Sequence, residues 1–377
     1  MTKVVRFGSI VAAVLAWMQT LLCGNTGVTT LAFSSPLSTP SSTGNGLLII
    51  GYGNVGKSVA REAGDPTHFD WIRGTSRSAN DNDGVVVPFQ QCREYLTAAT
   101  HVIVTIQASA VASPDDTNDG VHHDTNDDKD PNRGHDTTMR MVSENASRLS
   151  WLGIVSTTGV YGNHDGAWVT EQSDLLAPPD SSSQRYIRYE QQWTSIAERL
   201  DCDLCIFRCA GLYGPSRSAL HTLWKKGRPS TVGTNRTDGI TNRIHEQDVG
   251  RAVCAAMQQS TAGIVNLADD LPEKRSVVTS YASSLLESIG VEPPPAVTTL
   301  TEASKNGRPP SSSRSRRRGM EAKLVSNRRM KDMLLRDEQR DGLQFPTYRE
   351  GLQSILQDRS QPWWRQNDTD IQTVREA

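Results

Sequence analysis

Three glycines in the first quarter of the chain have the spacing of a phosphate-binding turn. The turn consists of Gly51, Tyr52, Gly53, Asn54, Val55 and Gly56. An apolar run precedes it and a helix-compatible segment follows it, which is the order strand, turn, helix. In such a turn the first glycine permits a tight bend, the second lets the backbone approach a pyrophosphate, and the third lets helix and strand pack closely. A bare glycine motif also occurs in purely structural turns, but this context favours dinucleotide binding.

The segment WIRGTSRSA, in the place of the second strand, bears on which dinucleotide would bind. It carries no Asp or Glu, the residues that bond the ribose hydroxyls of NAD, and it places Arg73 and Arg77 on either side of Gly-Thr-Ser. Guanidinium groups match a 2′-phosphate, so the segment favours NADP over NAD, with NAD as the alternative. Both arginines could instead be solvent-facing loop charges.

Short apolar runs recur along the chain with crossover-length connections between them. They are residues 46–51, 69–74, 84–89, 101–106, 151–157 and 203–209. Nearly continuous apolar strands of this kind are typical of a parallel sheet covered on both faces. The sequence therefore predicts an α/β fold with a doubly wound parallel sheet (Rossmann).

The same pattern divides the chain into segments. A dinucleotide-binding domain is predicted over residues 46–210, interrupted by a disordered acidic insert at 113–136 that is too polar to offset its ordering entropy. Residues 211–358, where the strand pattern loosens, are predicted to form a smaller substrate lobe, and 359–377 a polar tail. Ligands of doubly wound sheets bind at the carboxyl ends of the strands, so this lobe is the natural substrate wall.

Residues 1–45 have the composition of a targeting segment. Lys3 and Arg6 precede an apolar stretch that is shorter than a comfortable membrane span, which is typical of a signal peptide. A Ser/Thr/Pro-rich segment without acidic residues follows, with an Ala32-Phe33 step. This order resembles the two-part address of plastids bounded by extra membranes, so plastid targeting is predicted, with secretion or an endomembrane location as the alternative. No membrane span is expected in the mature protein.

Composition excludes some partners. The chain has 377 residues, 36% of them hydrophobic, and a net charge of −2, so we expect a globular protein that does not bind nucleic acid. The histidines of the insert and the three cysteines of DCDLCIFRC do not have metal-ligand spacing on a rigid element, and no metal site is predicted.

Several later segments resemble a known family. The passage STTGVYG at 156–162, together with IFRCAGLYGPSRSAL, NRIHEQDVGRAV and GIVNLADDLP in order, is similar to landmarks of the extended short-chain dehydrogenase/reductases, including epimerases and dehydratases. With GxGxxG in place of the more usual GxxGxxG, the chain resembles the atypical, epimerase-like branch. The resemblance covers about residues 46 to 358 and implies NAD(P) binding and a small-molecule substrate. The family commonly pairs subunits, so a homodimer is one alternative, and the oligomeric state of this chain stays open.

The resemblance also implies catalytic positions. The family's Ser or Thr, which bonds the reacting oxygen, falls on Thr157, although a strand-end hydroxyl can also simply cap the backbone. Its Tyr-x-x-x-Lys pair is not intact, because the helix that should carry it has no lysine. Tyr186 is the provisional acid/base if Glu190 occupies the lysine position. If Glu190 instead matches the glutamate that commonly follows the lysine, Tyr186 takes the lysine position and Ser182 the tyrosine position.

Two functions follow as hypotheses. In the first, the protein is an NAD(P)-dependent oxidoreductase or epimerase/dehydratase-like enzyme for a hydroxyl- or carbonyl-bearing small molecule, such as a sugar nucleotide, with Arg217, Arg243 and His245 on the substrate side. Arg243 and His245 could instead bond the chain that joins the lobes. In the second, it is a catalytically impaired NADP-binding sensor or scaffold.

Overall fold

The structure is a computed structural model. It describes residues 44–64, 68–76, 85–106, 133–179, 181–226, 238–291, 322–336 and 342–358. All of these belong to one compact unit, Ser38–Ala377. Residues 1–43, Arg77, most of the acidic insert and the tail from 359 lie outside the described residues, so the predictions for them stay predictions. None of the helices in the described ranges has the length and apolar character to cross a membrane.

Seven parallel strands form the central sheet. The strands of the described chain are β1 (Gly46–Ile50), β2 (Trp71–Ser76), β3 (Val86–Pro88), β4 (His101–Val104), β5 (Trp151–Thr157), β6 (Trp168–Val169), β7 (Asp203–Cys209), β8 (Gly211–Tyr213), β9 (Ile240–Thr241), β10 (Arg243–His245), β11 (Gly263–Leu267), β12 (Glu273–Lys274) and β13 (Leu324–Val325). The sheet has the order β11-β7-β5-β4-β1-β2-β3, and every neighbouring pair is parallel. The predicted doubly wound α/β fold is therefore confirmed.

Helices cover both faces of this sheet. They are α1 (Asn54–Ala63), α2 (Cys92–Leu96), α3 (Arg133–Asn145), α4 (Ser182–Leu200), α5 (Ala219–Lys226), α6 (Glu246–Gln258), α7 (Arg275–Ser288), α8 (Arg328–Leu335) and α9 (Tyr348–Gln357). One apolar core lies between the sheet and α1, α6 and α8, and a second lies between the sheet and α2, α3 and α4. Side chains alternate along a strand, so Leu47 and Ile49 enter the first core and Leu48 and Ile50 the second.

The later part of the chain contributes to both the sheet and a satellite layer. β11, which lies within 211–358, pairs with β7 in the central sheet. A third apolar core joins α5, α7 and α9 outside that sheet. Helix α3 begins at Arg133, so the last residues of the predicted insert, 133–136, are helical.

Both edges of the central sheet have particular features. At one edge, β3 has three residues and ends at Pro88, which has no N–H to donate. At the other edge, the N–H of Asn266 in β11 donates to Glu171 Oε1 at 3.0 Å. The guanidinium of Arg329 donates to the carbonyls of Ile264 and Ala262 at 2.6 and 2.7 Å. Side chains thus take up hydrogen-bonding groups of this edge strand and of the residue before it.

Candidate functional site

The three glycines occupy three different environments. Gly51 has φ +103°, and a Cβ there would lie 2.7 Å from Ile106 Cγ2. A Cβ on Gly56 would lie 2.4 Å from the carbonyl oxygen of Gly51, so this glycine lets α1 approach the strand end. A Cβ on Gly53 would meet nothing within 4 Å. The tight bend, the close helix packing and the open approach that a dinucleotide turn requires are all present.

No side-chain cap closes the start of helix α1. Gly53 is the N-cap and makes no side-chain cap, and the first turn carries no acidic residue. The first helical backbone bond runs from Lys57 N to Gly53 O at 2.8 Å. The preceding N–H groups have no intrahelical partner, and with the helix dipole they favour an anion. The residues present therefore fit a pyrophosphate, which the N–H groups of Asn54, Val55 and Gly56 would hold.

Hydrogen bonds fix the turn to the neighbouring strands. Gly51 N donates to Thr75 Oγ1 at 3.2 Å, and Tyr52 N donates to Thr75 O at 2.8 Å. Thr105, the residue after β4, donates from its hydroxyl to Gly51 O. The turn is thus held between β2 and β4, at the carboxyl ends of the strands.

Arg73 lies inside β2 rather than at its end. Its guanidinium donates to the carbonyl of Ile72 at 2.9 Å. Because side chains alternate along a strand, it points to the opposite face from Gly74, on which Tyr52 packs. The guanidinium of Arg73 is therefore hydrogen-bonded to the backbone of its own strand. Arg77 lies outside the described residues.

Asn54 connects the glycine turn to the later part of the chain. Its side-chain amide donates to the hydroxyl of Ser216, in the loop after β8. It also bonds the carboxylate of Glu246, the first residue of α6. Burial raises the pKa of Glu246, and the bond to Asn54 and the charge of Arg61 oppose this shift.

Thr157 ends β5 and caps the short 3-10 turn that follows. Its Oγ1 accepts from Gly159 N at 3.1 Å, as in the capping alternative. A hydroxyl that accepts one bond can still donate one, so this contact is compatible with a role toward a substrate oxygen. Helix α4 passes close by, since a Cβ on Gly159 would lie 2.5 Å from Ser183 Oγ and 3.3 Å from Thr157 Oγ1.

Glu190 of α4 is buried in an ion pair. Arg208 Nη2 lies 2.7 Å from Glu190 Oε2, and Arg208 Nε donates to Oε1 at 3.1 Å. Ser156 donates its hydroxyl to the same carboxylate. Burial alone would lower the pKa of Arg208, but the bonds and charge of Glu190 outweigh it and raise that pKa. Glu190 therefore faces the sheet as a partner of Arg208.

This placement bears on the two alignments of α4. Glu190 is paired with the cation of Arg208, as expected for a glutamate with a structural role. This pairing favours the alignment in which Glu190 matches the glutamate after the family's lysine. In that alignment Tyr186 takes the lysine position and Ser182 the tyrosine position. Tyr186 is half-buried and packs edge-on against Tyr189, with ring centroids 6.0 Å apart.

A polar network extends from the ion pair to β11. The guanidinium of Arg208 lies over the ring of Tyr161, 5.0 Å from its centroid, and the Tyr161 hydroxyl donates to Asn266 Oδ1 at 2.7 Å. Burial, only partly offset by Arg208 and Asn266, raises the pKa of Tyr161. Sequence reasoning missed the pairing of Arg208 with Glu190, because the two residues lie on different elements; the arginine within an otherwise apolar strand was the available signal.

The three predicted substrate residues differ in their exposure and in their contacts. Arg217 is exposed on the turn after β8. Arg243 donates to the carbonyls of Thr241 and Glu273 at 3.0 and 3.4 Å. His245 is 1% exposed and caps α6, with Nδ1 accepting from Gln247 N at 3.2 Å. Burial lowers the pKa of His245 to about 4, so the ring is neutral at physiological pH.

Two buried carboxyl groups support the same region. Asp248 accepts from the backbone N–H groups of Gln344 and Phe345 at 2.7 and 3.0 Å, and burial, opposed by these bonds, raises its pKa to about 6. Asp269 follows β11, and burial, opposed by Arg243, raises its pKa to about 8.

A pocket of about 300 Å³ opens beside the loop after β8. Its lining comprises Pro215, His245, Gln247, Ser354, Ile355, Gln357 and Asp358. Of the three predicted substrate residues, His245 is the one in this lining.

Comparison with known proteins supports the fold. No protein-family model matches the chain, and no curated protein matches it. Among solved structures, a conserved protein of unknown function from Silicibacter pomeroyi DSS is similar with 26% identity and a TM-score of 0.59, over 82% of this chain and 98% of that one.

Two further structures carry bound cofactors. MoeE5 in complex with UDP-glucuronic acid and NAD is similar with 16% identity and a TM-score of 0.59, over 88% of this chain and 100% of that one. The human epimerase family protein SDR39U1 with NADPH is similar with 14% identity and a TM-score of 0.55, over 83% of this chain and 99% of that one. The predicted resemblance to epimerase-like short-chain dehydrogenase/reductases is confirmed at the level of the fold.

Proposed function

We propose that this protein binds a nicotinamide dinucleotide, with its pyrophosphate on the glycine turn. The three glycine environments carry the proposal, because each matches one requirement of pyrophosphate binding and Gly53 is open. Similar folds hold NAD in MoeE5 and NADPH in human SDR39U1, which supports the cofactor class. NADP is proposed over NAD because β2 carries no acidic residue.

Gly53→Ala tests this proposal. The backbone of Gly53 has φ −86°, which alanine adopts without strain, and the added Cβ meets no protein atom within 4 Å. The methyl group would stand where the pyrophosphate approaches, so we expect NADPH and NADH affinity to fall about tenfold or more at an unchanged melting temperature. Nicotinamide fluorescence measures the affinity.

Gly56→Ala is the matched comparison. Its Cβ would lie 2.4 Å from the carbonyl oxygen of Gly51, so it should lower the melting temperature as well as the affinity. Unchanged binding of both dinucleotides by Gly53→Ala would contradict the proposed site.

The first candidate role is that of an oxidoreductase or epimerase/dehydratase-like enzyme for a hydroxyl- or carbonyl-bearing small molecule. The bound nicotinamide would supply hydride transfer. Thr157, at the carboxyl end of β5, would orient the substrate oxygen, and Tyr186 would donate or accept the proton. UDP-glucuronic acid in the complex of MoeE5 makes sugar nucleotides the first substrates to test.

The second candidate role is NADP binding without turnover, as a sensor or scaffold. The ion pair of Glu190 with Arg208 favours it, since this pair supports the register that leaves serine at the position of the acid/base tyrosine. The helix that would carry the motif lysine has none, so α4 supplies no ammonium to lower the pKa of a tyrosine.

One experiment separates the two roles. The complexes with NADPH and with NADP⁺ are incubated with carbonyl compounds and sugar nucleotides. Nicotinamide absorbance and the conversion of each compound are both followed, because an epimerase or dehydratase returns the hydride within each turnover and leaves the absorbance unchanged. Cofactor oxidation, or conversion of a compound, that Thr157→Val and Tyr186→Phe each abolish without loss of NADPH affinity supports the enzyme. Tight binding with neither oxidation of the cofactor nor conversion of any compound supports the sensor or scaffold.

A further inference from the structure

The ring of Tyr52 lies directly on the end of β2. A Cβ on Gly74 would be 2.1 Å from Tyr52 Cδ2, so the ring occupies the space that a side chain at position 74 would need. The backbone N–H of Tyr52 donates to Thr75 O at 2.8 Å. The second residue of the glycine turn is therefore fixed, by backbone and ring, to the last residues of the second strand.

Lys57 places its ammonium group above this ring. Lys57 Nζ lies 5.8 Å from the ring centroid of Tyr52. The negative face of an aromatic ring attracts a cation, so the contact favours the rotamers that keep the long lysine side chain on the β2 side of α1. Lys57 is exposed, so a bound anion can reach its ammonium group.

Arg73 does not supply an equivalent charge. Its guanidinium donates to Ile72 O, and its side chain leaves the opposite face of β2 from Gly74. Of these two cations, Lys57 is the one on the face of β2 that the glycine turn covers.

The end of the second strand is where the adenosine ribose lies in dinucleotide folds, and NADP differs from NAD there by a 2′-phosphate. An ammonium group binds a phosphate through charge-assisted hydrogen bonds, whereas a ribose hydroxyl gains little from it. We infer that Lys57, held by the ring of Tyr52, binds the 2′-phosphate of NADP and determines the preference for NADP over NAD. The inference rests on the proposed dinucleotide binding.

Titration of the full chain with NADPH and NADH tests this role. Lys57→Ala should weaken NADPH binding about tenfold and change NADH binding less than about twofold, since one charge-assisted bond is lost. Lys57→Arg should retain most of the NADPH affinity. Arg140→Ala, which removes one positive charge from an exposed position of α3 on the opposite face of the sheet from α1, is the control and should leave both affinities unchanged.

Competition with fragments isolates the phosphate. Adenosine 2′,5′-bisphosphate should displace NADPH from the natural chain better than 5′-AMP does, and Lys57→Ala should remove that advantage. An equal loss of NADPH and NADH affinity in Lys57→Ala would overturn the specificity role while leaving dinucleotide binding intact. Failure of the natural chain to bind either dinucleotide would overturn the proposed function itself.

Discussion

Glu190 and Arg208 are buried together, and removal of either charge alone leaves the other uncompensated. Glu190→Gln should therefore lower the free energy of unfolding by about 3–5 kcal/mol. The double variant with Arg208→Met should lose less than the sum of the two single changes, because no charge is then left unpaired. Urea denaturation of the four proteins measures the coupling, with Glu198→Gln, at an exposed position of the same helix, as the control. Additive losses would contradict the pairing.

Asp269 makes stability depend on pH. Its pKa is raised to about 8 in the folded chain, above its ordinary value of 3.8, so the folded state binds the proton more tightly than the unfolded state. The stability linked to this proton is complete below pH 3.8 and is lost as pH rises toward 8.

Asp269→Asn removes this titration. The free energy of unfolding of the variant, relative to the natural chain, should increase between pH 5 and pH 8 by a few kcal/mol, at about 1.4 kcal/mol per pH unit at most. Thermal or urea unfolding at the two pH values measures the difference. A difference that is the same at both would show that Asp269 is ionised in the fold.

At the scale of the element, the crossing of α1 and α6 depends on Gly250. A Cβ there would lie 2.4 Å from Ser58 Oγ and 2.8 Å from the backbone of the same residue. Gly250→Ala should separate the two helices and cost roughly 1–3 kcal/mol, the usual range for overpacking. Because α1 carries the N–H groups of the glycine turn, dinucleotide affinity should fall too. Gly53→Ala, the same change at an open position, should weaken binding at unchanged stability.

Much of this architecture could be predicted from local patterns. Strands β5 and β7 have the predicted bounds, because a strand buried on both faces is a continuous apolar run. In α6, Val249, Ala252, Val253 and Ala256 recur at helical spacing in the sequence, and all four are buried. The glycine turn also lies where its spacing indicated, at the carboxyl end of β1.

Other features depend on contacts between distant segments. Whether Glu190 replaces a lysine or serves as a structural glutamate depends on Arg208, on another element, so the sequence left both registers open. The backbone contacts of Arg243 and the helix cap formed by His245 likewise arise from neighbours that a single sequence does not reveal.

At the scale of the whole molecule, the acidic insert can be tested by removal. Its composition predicts that it adds little to the folded core, whereas α3 begins at Arg133 and packs into the second core. Deletion of residues 114–130 stops short of that helix and should change the melting temperature and NADPH affinity very little. A deletion that also removes the first turns of α3 should destabilise the chain, and equal effects of the two deletions would contradict this division.

The two edges of the central sheet bear on how copies of this chain can associate. An open edge strand can recruit a strand from another molecule and so begin aggregation. Here one edge is short and ends at Pro88, and at the other Glu171 and Arg329 already bond backbone groups in and beside β11. Growth of a continuous intermolecular sheet through these groups would first require those side chains to be displaced. Association of folded copies of this chain through the edges of the described sheet is therefore disfavoured.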